Sequence, residues 1–229
     1  MCDRFILHAD LDELNERYGI TRALSYYSHQ NNRMPNESIA AITQKDNVRT
    51  LDEYRWGLMP FWARDSVLAD NLNVFRNRAF DYLVKRQRCV IPGSSFDRVT
   101  WLNPKKEAVD RYIAQDGRTF AMAGVYDVWK GSLGEELRTC TIVTRKRTDD
   151  DTGSEVRVPI LFDEEQVEAW LDPKRFDKTA LMHWLESIQS PQFQKLPVSL
   201  WDRADGLEGL DGEALGTGTI SAQPRIAKP

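Results

Sequence analysis

A cysteine at position 2, in Met1-Cys2-Asp3-Arg4-Phe5, sets a thiol one residue from the initiator methionine. Removing that methionine would leave an α-amine and a thiol on the same residue. A free α-amine titrates near ~7.7–8.0 and a thiol near ~8.5, so a fraction of each is nucleophilic at neutral pH without help from a fold. Together they trap an aldehyde. The amine forms an imine, the thiol closes on the imine carbon, and the five-membered thiazolidine that results outlasts an open Schiff base. Taken alone, a cysteine beside the initiator is usually no more than a small residue where translation starts, and its meaning depends on the rest of the chain.

The elements that must position it come from a chain of 229 residues, 41% hydrophobic and 29% charged, which is enough for one substantial core and short for two. One domain is expected over residues 1–202. Residues 203–229, rich in Gly, Asp, Glu and Ala, read as a poorly ordered or surface-packed tail. No apolar run is long enough to span a membrane, and Cys-Asp-Arg is not a signal-peptide start, so a soluble, cytoplasmic monomer is expected. Cys2, Cys89 and Cys140 lack metal-ligand spacing, and neither a metal nor an organic cofactor is expected. Cys89 and Cys140 lie in apolar strand-like runs and read as inert core thiols. The net charge of −4 excludes a protein that coats duplex DNA by bulk electrostatics. A local basic run, Arg76, Arg78, Lys85, Arg86 and Arg88 against the single acid Asp81, fits either a solvated helix face or a phosphate contact.

Residues 10–18 read as an amphipathic helix with Asp10 as its N-cap, 25–35 as a loop, and 38–43 as a strand. The segment 54–62 starts as a strand and breaks at Pro60, which gathers its aromatics at a turn. A helix is predicted over 76–88, followed by a short buried strand over 88–92. Further strands are predicted over 111–114, 120–128, 137–143 and 158–162, and helices over 163–171 and 179–187. Strands that follow one another without intervening helices predict an α+β fold, a largely antiparallel sheet or partial barrel with peripheral helices. None of the three histidines is a strong catalytic candidate, and no phosphate loop, zinc spacing or nucleophile elbow is present.

Several blocks, in order, carry a family resemblance: Met1-Cys2-Asp3-Arg4-Phe5, Asn32-Arg33-Met34-Pro35, Trp56-Gly57-Leu58-Met59-Pro60-Phe61-Trp62, Arg88-Cys89-Val90-Ile91-Pro92, residues 120–129 and residues 139–144. Residues 1 to about 201 resemble the SOS response-associated peptidase (SRAP) family. The resemblance implies a sensor of abasic sites in single-stranded DNA that loses Met1 and joins Cys2 to the ring-opened sugar as a thiazolidine DNA-protein crosslink. It also implies a phosphate contact at Arg4, base stacking or wedging by Trp56 and Trp62, groove-lining positions at Pro35 and Thr144, and Asn71, with Asn73 as competitor, as the asparagine that orients the reacting groups. Arg76 and Arg78 are the accompanying basic candidates for DNA.

The departures from the family pattern bear on activity. Asp3 stands where relatives usually carry glycine, and the asparagine segment is shortened. The family's catalytic glutamate falls on Arg98, and its active-site histidine falls on Glu155. Asp97 cannot replace the glutamate without a bulge or register shift, because adjacent residues of a strand face opposite ways. Arg98 could favour thiolate at Cys2, and Glu155 could accept a proton in place of histidine. An autopeptidase with weakened chemistry is therefore expected, the alternative being a DNA-binding or interaction module that kept the fold and lost the reaction. A conventional cysteine peptidase is disfavoured, since no Cys/His pair with an orienting partner can be picked out.

Overall fold

The computed structural model of the chain describes residues 4–25, 27, 30–59, 72–103, 106–148, 153, 155–189 and 193–197. In chain order its elements begin with β1 (Arg4–Leu7), α1 (Leu11–Tyr18), β2 (Arg22–Ala23), β3 (Gln30–Arg33), β4 (Ser38–Lys45) and β5 (Val48–Trp56). Next come α2 (Leu72–Arg76), a 3-10 turn (Arg78–Phe80), α3 (Asp81–Arg86), β6 (Arg88–Gly93), β7 (Ser95–Asn103), β8 (Lys106–Ala114), β9 (Phe120–Lys130) and β10 (Glu136–Ile142). The chain continues through β11 (Thr144–Thr148), β12 (Glu155–Pro159), β13 (Leu161–Phe162), α4 (Glu164–Leu171), α5 (Lys178–Ser187) and β14 (Phe193–Pro197).

Two sheets dominate. One has the order β14-β8-β7-β1-β3, antiparallel throughout. In the other, β5, β4, β6, β9 and β10 follow one another, and a parallel pairing of β10 with β5 closes the ring. The fold is α+β with a largely antiparallel, partly barrelled core, as its strand-rich sequence implies. Burial reflects the closure: β6 is buried along its whole length, as expected of a strand covered on both faces. Gly124 of β9 sits where side chains of β6 leave no room for a Cβ. A Cβ there would come within 2.8 Å of Cys89 Sγ and 2.9 Å of Ile91 Cδ1.

Aromatic rings join the two sheets. Phe5 of β1 meets Trp56 of β5 at 5.5 Å, and Phe96 of β7 meets Phe120 of β9 edge-on at 6.0 Å. The helices begin where local chemistry starts them. Asp10 accepts a hydrogen bond from the Glu13 amide at 2.8 Å, and Asp163 with Gln166 forms a reciprocal capping box at α4. Among the described residues no helix is long and apolar enough to cross a membrane.

Three local expectations are corrected. Within the predicted loop 25–35, residues Gln30–Arg33 form β3, because β1 offers them a free edge. The predicted helix 76–88 is divided: Asn77 turns its side chain onto the Ala79 amide and ends α2, and Arg88 belongs to β6. Arg88 is therefore no phosphate contact. Buried, it donates to the carbonyls of Val84, Trp170 and Asp172, each at 2.6 Å, and its guanidinium lies 5.4 Å from the Trp170 ring. Burial pushes its pKa down to about 10. The predicted strand over 158–162 is two short ones, β12 and β13, which enter different sheets. The tail, 203–229, lies outside the described residues.

Candidate active site

The N-terminal strand is held from both sides. In β1, Arg4 stands opposite Asp97 of β7, and Phe5 stands opposite Phe96 of β7 and Arg33 of β3. Period-two alternation sends Phe5 into the core and Arg4 to the opposite face of the sheet. There Asp97, 0% exposed, receives Arg4 Nε at 3.6 Å and a two-pronged contact from Arg111 of β8. Arg111 Nε to Oδ1 is 2.8 Å and Nη2 to Oδ2 is 3.0 Å. Arg111 is itself only 4% exposed. One buried carboxylate thus holds two guanidiniums, and the trio keeps one net positive charge at the start of β1. Sequence reasoning missed Arg111. The signal was faint, a basic residue in a strand that would pair with the one carrying Asp97.

Arg98 faces away from Asp97, on the side of Phe96 and Tyr112, as strand alternation requires. Its guanidinium meets Asp110 across the ladder at 3.4 Å and lies 5.8 Å from the Tyr112 ring, and Lys195 of β14 reaches the same Asp110 oxygen at 3.4 Å. Position 98 is therefore a partly buried cation with a carboxylate beside it.

Trp56 is 4% exposed and packed on Phe5, so its ring cannot stack on a base, and its work is to hold β1 against β5. Pro35 lies in the turn between β3 and β4, which is pinned to Trp56: the Asn36 amide donates to the Trp56 carbonyl at 2.6 Å, and the Trp56 amide to that of Glu37 at 2.8 Å. Arg4 and Arg98 thus lie on neighbouring strands but on opposite faces of that sheet, while Trp56 belongs to β5 of the other sheet and Pro35 to the turn pinned to it. Thr144 and Glu155 belong to a separate hairpin, β11–β12. Thr144 is buried at its root, opposite Pro159. Glu155 is exposed at its far end and pairs with Lys146 at 2.6 Å. Arg76 and Arg78 are exposed, at the end of α2 and in the turn after it, where α2 packs on α5. Cys2, Trp62 and Asn71 lie outside the described residues, and Asn73 is in α2. Among the described residues no three His, Cys, Asp or Glu side chains converge as metal ligands.

The other two thiols belong to the hydrophobic core. Cys89 and Cys140 are fully buried, and burial pushes both well above the ordinary thiol range. Alkylating the native protein is expected to leave both untouched, so that intact mass shows one label at most before denaturant and three after it. More than one label on the native protein would mean that the barrel opens on the labelling timescale.

The chain has clear relatives. A family model described as SOS response associated peptidase (SRAP) matches residues 1–201. The abasic site processing protein YoqW of Bacillus subtilis is 29% identical over 207 residues, spanning 87% of this chain and 92% of that one. The abasic site processing protein HMCES of Gallus gallus is 26% identical over 153 residues, 54% of this chain and 46% of its own. Among solved structures, a protein of Bordetella bronchiseptica superposes with a TM-score of 0.70, over 87% of this chain and 100% of that one, at 18% identity, a likeness of fold.

Proposed function

The chain belongs to the SOS response associated peptidase family, and from that membership we propose that it captures abasic sites in single-stranded DNA through Cys2 once Met1 is removed. The α-amine of Cys2 attacks the aldehyde carbon of the ring-opened sugar, and water leaves as the imine forms. The thiol then adds across the imine, sulfur to carbon and proton to nitrogen, and closes the thiazolidine. One water is released overall, and no oxidant or cofactor is required.

The observation that supports this reading most is the clamp on β1. Arg4 is two residues from Cys2, so the thiol-bearing residue lies within about 7 Å of Arg4 along the chain. The net positive charge of Arg4, Asp97 and Arg111 attracts a phosphate to that end of the strand. An abasic sugar has no base to extrude, so the site need hold only sugar and phosphate. Arg98 and Glu155 stand where the family pattern has a glutamate and a histidine. Capture is therefore expected to outlive the steps that need acid/base help, namely autoproteolysis, strand cleavage and crosslink reversal. The test is the intact mass of the protein before and after incubation with a single-stranded oligonucleotide bearing one abasic site. A Met-less protein that gains the oligonucleotide mass supports capture, and retained Met1 with no adduct overturns it.

The ion pair of Arg98 with Asp110 favours a second reading, a binding module of the same fold without the reaction. Arg98→Glu separates the two. Beside Asp110 and largely shielded from water, the new carboxyl would hold its proton more tightly and serve as a general acid. Adduct reversal, measured as release from purified crosslink, is expected to quicken by about 10²-fold, more with Glu155→His added. Unchanged rates together with lost stability would mean that residue 98 does not reach the reacting groups.

A further inference from the structure

The connection from α4 to α5, Asp172-Pro173-Lys174-Arg175-Phe176-Asp177, ties its two acids to nearby backbone amides and leaves Lys174 and Arg175 exposed. Asp172 Oδ1 accepts from the Lys174 amide at 2.9 Å, and Asp177 Oδ1 from the Ala180 amide at 2.7 Å. One oxygen of each carboxylate is thus taken by local backbone, and Asp177 is itself exposed at the rim of the cleft. Lys174 and Arg175 are exposed and make no ion pair among the described residues. Between them and α5, Phe176 is 62% exposed, beside a cleft of about 290 Å³ whose floor is Leu181 and Trp184. Trp184 is fixed in place. It stacks on Phe162 at 5.7 Å and on Trp170 at 6.4 Å, and the Arg175 guanidinium lies 5.6 Å from its ring.

The basic surface extends past the cleft. Buried Arg88 donates to the Asp172 carbonyl and to that of Val84, tying this loop to the end of α3, where Lys85 and Arg86 are exposed and likewise without an ion pair among the described residues. Lys178 and Asp81 join the starts of α5 and α3. In a chain of net charge −4, two cations beside the exposed ring and two more on the helix end tied to this loop, none in an ion pair among the described residues, make a local reversal of sign. An apolar peptide would use the cleft and leave the cations unmatched. A single strand of nucleic acid uses both, its base on the ring and its phosphates on the cations.

We propose that Lys174, Arg175 and Phe176, with the Trp184 cleft, form a second contact for single-stranded DNA, apart from the Cys2 site, that holds one unpaired base and its flanking phosphates. The proposal rests on the reading that single-stranded DNA is the substrate, and it lengthens the footprint beyond the lesion. It predicts that the wild-type protein binds an undamaged strand of about 20 nucleotides more tightly than one of about 5. Phe176→Ser removes an exposed ring and no core contact; fluorescence anisotropy should show binding of the longer strand weakened about tenfold. Adding Lys174→Ala and Arg175→Ala should also flatten the slope of log affinity against log salt by about 1.4, two phosphate contacts on a single strand. Adduct yield at saturation with a short abasic oligonucleotide should not change in either variant.

Binding of the longer strand within about twofold of wild type in both variants would overturn the proposal, as would equal losses on duplex DNA, which offers no free base. If the wild-type protein forms no adduct with the short abasic strand, yet Phe176→Ser still weakens the longer one, the second contact stands and the Cys2 reading falls.

Discussion

Cys2→Ala is expected to abolish the covalent product that survives without a reductant, while affinity for the same strand stays within about twofold of wild type. The argument separates two nucleophiles. After methionine removal the variant still carries an α-amine, and an amine alone forms an imine that water reverses. Only the thiol closes the ring. Borohydride, which reduces an imine to a stable amine, should therefore recover an adduct from Cys2→Ala, whereas the wild type needs no reductant. Capture by the wild type should also rise with pH from about 6 toward 8, because only the neutral amine and the thiolate are nucleophilic. The measurement is intact mass with and without borohydride. An equal reductant-independent adduct in Cys2→Ala would remove the thiol from the mechanism. Equal DNA affinity and no adduct from either protein would leave a binding module.

The parts of this site that could be read from sequence are those governed by local rules. The cap at Asp10, the start of α4 at Asp163 and strands β9 and β10 follow from residue type and periodicity over a few positions, and the structure agrees. Alternation along a strand is enough to set Asp97 and Arg98 on opposite faces. What escaped depends on partners distant in sequence. β3 is a polar segment that becomes a strand only because β1 presents an edge to it. Arg88, in a run of cations, is drawn inside by three carbonyls, two of them contributed by residues 82 and 84 positions away. Trp56 carried the opposite lesson, since an aromatic beside a turn is as readily core as platform, and Phe5 settles it as core. Phe176, the most exposed aromatic among the described residues, lies in a segment outside every family block.

Those long-range partners set the second large effect, Asp97→Ala, which is expected to cost about 3–5 kcal/mol of folding stability. Asp97 is fully buried, and removing it leaves the largely buried Arg111 and the Arg4 side chain without the carboxylate that both meet. The loss should exceed that of any exposed pair in the molecule, such as Lys146 with Glu155, where solvent screening leaves little to lose. Asp97→Asn should fall between, because an amide still accepts a hydrogen bond and cannot neutralise charge. A second substitution isolates the cause. If unpaired charge is what destabilises, Arg111→Met in the Asp97→Ala background should recover part of the loss, as apolar replacement of a buried pair commonly does. Urea unfolding of the four proteins gives the comparison. In the rescued double variant Arg4 still lacks its carboxylate, so slow adduct formation by a stable protein would identify the clamp as a positioning device for the N-terminus. Asp97→Ala within about 1 kcal/mol of wild type would mean that Arg4 and Arg111 find other partners, and that β1 is held by Phe5 and Trp56 alone.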